Sequence, residues 1–525
     1  MNEEIKTGMD TDDKDRKRLS ADLEMNIKMV TDELGTEPDI IIRHLHMFKS
    51  SKAALLYIAG MTDASAVNLL VMSMITEPPL GSGDGDGMEE SPFQSLLYRS
   101  LAIGGIRKID RLDEVLLAML EGNTVVLLDG SNEAIAAFTC GVEKRSVEEP
   151  STQTVVRGPK EGFTETLHIN TALIRNKIKS TNLRMEYRII GHQTRTTIAL
   201  VFMKGIADEK VLEEVRRRLD LIDTDSILES GYIEEFIQDK TFTPFPLLQN
   251  SERPDAIAAG LLEGQFAIVV DGTPFVLLAP VTFVKFFQSS EDYYQRYDIS
   301  TFLRIIRFFS FLASMLLPSI YIAITTFHQE MLPTQLLISI AAQREGVPFP
   351  ALVEAMIMEI TFEILREAGV RMPRIIGPAI SIVGALVLGQ SAVQAGLISA
   401  AMVIVVSFTA IASFVIPSIN MGTAARLIRF LLMILAGSFG VFGILAGLMM
   451  ILTHLSSLRS FGVPYLTPIS PLKTNNLKDV FIRVPWWAMK KRPSLDNKAG
   501  TVRQGTPSSI SDHAGERSQK GGEGQ

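Results

Sequence analysis

The sequence predicts a chain in two parts: a soluble α/β N-terminal region built of two related subdomains, then an all-α polytopic transmembrane bundle. Three observations predict it. Charged residues are frequent as far as Asp298, then thin out between Thr301 and Leu455, where runs of Leu, Ile, Val, Ala, Gly, Met and Phe replace them. A helix–strand–turn pattern occurs twice in the first part. Four stretches of the second part are long and apolar enough to cross a bilayer, which needs about 20 residues at 1.5 Å rise each.

The 525 residues leave room for about three domains. Apolar residues make up 46% and charged residues 21%, an average over two unlike halves. The net charge of −8 comes from intermixed acidic and basic residues, so there is no nucleic-acid signature. The single cysteine, Cys140, excludes an intrachain disulfide and cannot form a zinc site alone. It is expected to be a small buried residue. The polar start, MNEEIKTGMDTDDKDRKRLS, lacks the apolar core of a secretory signal, so the N-terminal half is expected to stay cytoplasmic.

Residues 1–20 and 494–525 are charged or rich in Gly and Ser, and are expected to be disordered. Residues 21–90 form the first part of the soluble region, read as helix, strand, helix. Ala53–Ala59 is an apolar run of strand length, and Thr62-Asp63 cap a helix through Met74. His44 and His46 read as helix residues rather than metal ligands, and no metal or cofactor is predicted. Residues 77–90 contain GSGDGDG, which lacks the spaced ligands and closing Glu of a calcium loop and reads as a linker.

The duplication lies in a cytoplasmic α/β domain over 91–300. RLDEVLLAMLEGNTVVLLDG (111–130) aligns without gaps with RPDAIAAGLLEGQFAIVVDG (253–272). Arg111/Arg253, Asp113/Asp255, Leu120/Leu262, Glu121/Glu263, Gly122/Gly264, Asp129/Asp271 and Gly130/Gly272 coincide. The unit reads as an Asp-capped helix ended by Gly, a buried strand, and an Asp-Gly turn into a second strand at 134–139 or 275–279. Between the copies come strands 184–190 and 196–204, then a helix 208–221 whose Arg216–Arg218 end is expected to be solvated.

The bundle spans 301–455. Its candidate crossings are Phe302–Thr326, Ile376–Ala395, Leu397–Pro417 and Leu427–Leu452, the middle two joined at Gly396 in a tight hairpin. Arg304 and Arg307 are placed to snorkel. In 351–369, Glu359, Glu363 and Glu367 share one helical face with Glu354 close by. That acidic face would meet water, a partner chain or an aqueous pathway, or else belong to a solvated interfacial helix. The arginines at 344, 366, 371, 374, 426 and 429 are cytoplasmic only if 331–365 cross, whereas the basic tail within 456–493 needs an even number of crossings. The topology stays open. Trp486-Trp487 before a Lys/Arg cluster reads as an interfacial anchor in anionic lipid.

The helix Ile376–Ala395 presents Val383, Leu386, Val387, Gln390 and Gln394 on one stripe. In a symmetric ring the valines would form a hydrophobic constriction and the glutamines a wetter section. Glu354, Glu359, Glu363 and Glu367 would form an acidic vestibule that draws cations in. Alternatively, the two amides sit at the interface by the hairpin tip.

Three segments together resemble one family, the A subunit of the nutrient germinant receptors of bacterial endospores. They are RGPKEGFTETLHINTALIRNKIKS (157–180), EGVPFPALVEAMIMEITFEILREAGVRMPRIIGPAISIVGALVLGQSAVQAGLIS (345–399) and SFGVPYLTPISP (460–471) with the basic tail. The first contributes the family-motif residues Glu161, Gly162, Phe163, Asn170 and Arg175. The resemblance runs from about residue 50 to 495. It implies a multi-pass protein of the spore inner membrane. It also implies a transporter-like B subunit and a lipoprotein C subunit as partners, and a homo-oligomeric ring acting as a nutrient-gated cation channel. A non-conducting relay subunit and a solute transporter subunit are the alternatives. No GxxxxGK, HExxH or GxSxG pattern suggests an enzyme.

Overall fold

The computed structural model describes residues 18–46, 51–75, 105–141, 149–150, 153–371, 389–472, 479–489 and 492. The chain divides into two compact units. One comprises the N-terminal residues to Ile237 with Asn250–Ala279. The other comprises Gln238–Gln249 with Pro280–Leu495.

The first unit holds two five-stranded sheets of one topology. In order, the elements of the first subdomain are α1 (Leu23–Leu34), β1 (Ile40–His46), β2 (Lys52–Ile58), α2 (Ala64–Ile75), β3 (Ile106–Ile109), α3 (Leu112–Leu120), β4 (Thr124–Leu128) and β5 (Ala134–Ala137). The second has α4 (Leu167–Lys177), β6 (Leu183–Ile190), β7 (Thr196–Met203), α5 (Glu209–Asp220), α6 (Ser230–Ile237), β8 (Gln249–Ser251), α7 (Pro254–Leu262), β9 (Phe266–Val270) and β10 (Val276–Ala279). The sheet orders are β1-β2-β4-β5-β3 and β6-β7-β9-β10-β8. The two copies are therefore whole subdomains, and the duplication starts well before residue 91.

The central strands are apolar on both faces because helices cover both. In β2 and β4, Ala54, Leu56, Val125 and Leu127 pack towards α1 and α3. Ala53, Leu55, Val126 and Leu128 pack towards α2. The period of two splits one continuous run between two cores. In the second subdomain, Ala199, Val201, Ala267 and Val269 join α4 and α7 in the equivalent core.

Four expectations are corrected here. Residues 40–46 are a strand, paired Ile40↔Ile58 to His46↔Lys52, so His44 and His46 are strand residues. The β-branched Ile40–Ile42 run favours a pleated surface over a helix. Cys140 is exposed, because it lies past the end of β5 at an edge bridge with Thr62. Asp113 and Asp255 do not cap their helices. The N-cap positions belong to Arg111 and Arg253, and each Asp chelates the guanidinium two residues before it, at 3.0 and 2.9 Å in the first copy and 3.1 and 2.6 Å in the second. The Arg216–Arg218 end is also paired. Arg216 bonds Glu186 and Glu209, and Glu214 accepts from Arg217 and Arg218.

The second unit is helical: α8 (Tyr297–Thr326), α9 (Thr334–Arg344), α10 (Ala351–Arg371), α11 (Ala400–Phe414) and α12 (Ile419–Ser457). Two of these, α8 with 30 residues and α12 with 39, are long and apolar enough to cross a membrane. α11 has 15 residues. The hairpin turn forms at Gly396, whose φ of +65° lies in the left-handed region. α12 is interrupted at Gly440 (φ 60°, ψ −142°). A side chain there would meet His328 Cε1 at 2.7 Å, so both conformation and space demand glycine. After α12 a short ribbon, Arg459–Ser460 with Val463–Pro464, places Tyr465 among Phe283 and Phe286, with its hydroxyl donating to the Pro246 carbonyl at 2.8 Å.

Candidate functional site

Four of the five family-motif residues, Glu161, Gly162, Phe163 and Asn170, gather at the start of α4, and Arg175 lies in its last turn. Phe163 is buried, and its amide donates to the Glu252 carbonyl at 2.8 Å. Asn170 closes the turn before the helix: its Oδ1 accepts from the Thr164 amide at 2.7 Å and its Nδ2 donates to the Thr164 carbonyl at 2.6 Å. Asn26 does the same for α1, accepting from the Ser20 amide at 2.7 Å and donating to the Ser20 carbonyl at 2.6 Å. Asp271 Oδ1 accepts from the Leu167 amide at 3.0 Å, as Asp129 does from Leu23 at 3.4 Å. The turn aspartates thus brace a helix over one hundred residues away. Gly162 is buried beside Phe163. Glu161 is at the surface, paired with Lys177 at 2.8 Å.

Arg175 has a different role. It is buried and bonds Asp39 at 2.6 Å and Glu37 at 2.8 Å, both from the other subdomain. Arg184 donates to the Leu34 and Glu33 carbonyls beside it. Burial pushes the Glu37 carboxyl above its ordinary value, against the pull of Arg175. Burial, with Asp39 nearby, pushes the Tyr187 phenol to about 12. The junction between the subdomains is thus a desolvated ionic cluster centred on one arginine.

In the helical unit, two charge clusters lie among apolar helices. Arg304, 0% exposed, bonds Asp292 at 2.9 Å and Asp479 at 2.7 Å, and Arg307 bonds Asp292 at 2.7 Å. Tyr293 donates to Asp479 at 2.7 Å, and Arg483 lies over the rings of Tyr293 and Trp486. Arg304 therefore does not snorkel: carboxylates come to it, which is the less costly arrangement for a guanidinium in an apolar helix. The pairing also fixes Asp479–Met489 against the first turns of α8, leaving Trp486 and Trp487 part exposed.

The second cluster contains the predicted acidic residues. Glu354 and Glu359 are 0% exposed. Glu354 accepts from the amide and hydroxyl of Ser399, the N-cap of α11, where the helix dipole favours a negative charge. Glu359 faces Arg429 at 3.0 Å. Glu363 reaches Arg426 at 2.8 Å and Arg429 at 3.4 Å. Arg366 donates to Ser413 Oγ at 3.1 Å and lies over the rings of Phe362 and Phe414. Only Glu367 is exposed, 65% at the side chain, paired with Arg371 at 2.6 Å. Within one chain, then, the stripe is not an open acidic surface, because basic residues of α12 and the N-terminus of α11 neutralise it. These partners were missed in the sequence. The clue was Arg426 and Arg429, spaced i, i+3 in an otherwise apolar helix, where an intramembrane charge demands a counter-charge.

Of the stripe Val383, Leu386, Val387, Gln390 and Gln394, the first three lie outside the described residues. Gln390 and Gln394 are both exposed on the helical residues 389–394, while Ala392 packs inward. Among the described residues no group of His, Cys, Asp and Glu could hold a metal ion.

A duplicated α/β body and a helical bundle with span-length helices and neutralised interior charges define a class of membrane-associated protein. Residues 28–495 match the family model described as Bacillus/Clostridium GerA spore germination protein. Spore germination protein KA of Bacillus subtilis (strain 168) is 50% identical over 93% of this chain and 89% of its own length. The membrane protein YfkQ of the same organism is 44% identical over 92% of each chain, and spore germination protein B1 is 38% identical over 93% of this chain and all of its own. A crystal structure of the N-terminal domain of the A subunit of the Bacillus megaterium spore germinant receptor GerK3 is 34% identical. It aligns with a TM-score of 0.40 over 51% of this chain and 97% of that one. The chain belongs to the GerA spore germination protein family.

Proposed function

We propose that this chain is the A-type membrane subunit of a nutrient germinant receptor and forms a homo-oligomeric, nutrient-gated cation channel in the spore inner membrane. It works there with a transporter-like B subunit and a lipoprotein C subunit, its N-terminal region in the cytoplasm. Family membership supports the receptor role. One observation supports the pore: Gln390 and Gln394, one turn apart, point outward from a bundle whose other outward faces are largely apolar. Amides at such a position need polar neighbours, which a water-filled ring of copies supplies. By helical periodicity of the sequence Val383, Leu386 and Val387 fall on the same stripe, and they are its proposed constriction. Of the vestibule glutamates, Glu367 is the one that ions can reach, exposed although paired with Arg371, while Glu354, Glu359 and Glu363 hold the helices together.

The test is purified protein in a planar bilayer. Discrete conductance steps, lost on Gln390→Leu with Gln394→Leu, support the channel. Saturable solute exchange would indicate a transporter subunit instead, and silence from a correctly assembled oligomer a relay subunit.

A further inference from the structure

The geometry points to α10 as a membrane-spanning helix whose outer face, Val353, Ile357, Ile360 and Ile364, contacts lipid hydrocarbon. The inference rests on the membrane setting proposed above. Its four apolar residues recur at spacings of 4, 3 and 4 and are all exposed, Ile364 at 63%. The same helix turns Glu354 and Glu359 fully inward.

That is the reverse of an amphipathic helix in water. An aqueous helix buries its aliphatic row, gaining about 1.5–3 kcal/mol per large side chain, and leaves its carboxylates hydrated. Here the aliphatic row is outside and the carboxylates are desolvated against Arg426, Arg429 and Ser399. The arrangement makes physical sense when the outer solvent is apolar, because the row then loses nothing and inward pairing is the least costly place for charge. Length agrees: 21 residues at 1.5 Å each make about 31 Å, so the exposed Glu367–Arg371 pair of the last turns, which continues the outer row, reaches the polar headgroup level while Val353 to Ile364 stay in hydrocarbon.

Lipid rather than another protein is favoured by continuity. The span-length helices and α11 show the same inversion, exposing Phe309, Leu312, Ile404, Phe408, Leu431 and Ile434 while Arg304 and Arg429 are buried. Hydropathy misses α10 because it counts Glu354, Glu359, Glu363, Arg366, Glu367 and Arg371 as if each were unpaired.

The experiment uses the full chain in liposomes with Trp486→Phe and Trp487→Phe, so that one introduced tryptophan reports. Ile360→Trp probes α10, Ile357→Trp repeats the probe should the first variant fold poorly, and Leu431→Trp probes α12. The quenchers are phosphatidylcholine brominated on its acyl chains and aqueous iodide. The α10 reporters are expected to lose most of their emission to brominated lipid and little to iodide. Quenching of Leu431→Trp by brominated lipid without quenching of either α10 reporter would overturn the inference, whether a second copy or water covers α10. Absence of lipid quenching at all three positions would overturn the membrane setting itself.

Discussion

Glu359 of α10 and Arg429 of α12 face one another at 3.0 Å, with 0% and 1% of their side chains exposed. The pair joins two helices at a point neither could occupy alone, because a single buried charge costs several kcal/mol. Glu359→Gln is therefore expected to destabilise the detergent-solubilised protein by about 3 kcal/mol, and Arg429→Gln by a similar amount. The double variant loses less than the sum. Thermal unfolding of the four proteins measures the coupling, and additive losses would mean that the residues do not act as a pair.

Arg175→Leu leaves Asp39 and Glu37 buried without their counter-charge. The expected cost is about 3–5 kcal/mol. Hydrogen exchange should rise in α4 and around residues 37–39 while the centres of both sheets stay protected. Asp39→Asn added to Arg175→Leu restores part of the protection.

Asp479→Ala removes one of the two carboxylates on Arg304 and the acceptor of the Tyr293 hydroxyl. Residues 479–489 are expected to come away from α8, at a cost of about 1–3 kcal/mol. Protease cleavage after Arg483 in membrane vesicles, faster in the variant than in the parent, is the readout.

Burial, reinforced by the neighbouring Glu229, pushes the Glu234 carboxyl of α6 up to about 7. Glu229 itself is held below its ordinary value: burial opposes this, but hydrogen bonds from Ser230, Gly231 and Thr273 outweigh it. The folded chain thus keeps the Glu234 proton to a higher pH than the unfolded chain, whose carboxyl titrates near 4.5. The stabilisation is complete below that value and is lost as pH rises through 7. Glu234→Gln, neutral throughout, should match the parent at pH 4 and exceed it at pH 8 by about 1 kcal/mol, the full shift being reduced by solvent screening. Equal melting differences at both pH values would contradict this.

Val383→Ala and Val387→Ala each widen the proposed constriction and are expected to raise resting conductance or shorten dormancy. Normal dormancy with unchanged conductance in both would exclude this helix as the gate.

Sequence reading recovered the rear of each repeat because Leu-Glu-Gly and Asp-Gly recur at matched spacing. It missed the front because little there is identical beyond Leu23/Leu167 and Asn26/Asn170, and the shared feature is a turn closed by an asparagine. Strand β1 was hidden by His44 and His46, polar residues on a face that a helical reading accommodates equally well. The apolar segments of α8 and α12 were legible from length alone. Their charges were not: Glu359 and Arg429 are 70 positions apart, and no local pattern couples them. The direction of the glutamate face depended on those distant arginines, so composition could not decide it.

The clamp between Arg304 and Asp479 has one more consequence. It ties the entry of the first span-length helix to the stretch following the last one, so in the membrane setting proposed above both termini of the bundle would emerge at a common bilayer surface. A polypeptide that leaves and returns through one surface traverses the membrane an even number of times. In that setting the stretch 479–489 would share its leaflet with the beginning of α8, whichever route the intervening chain takes.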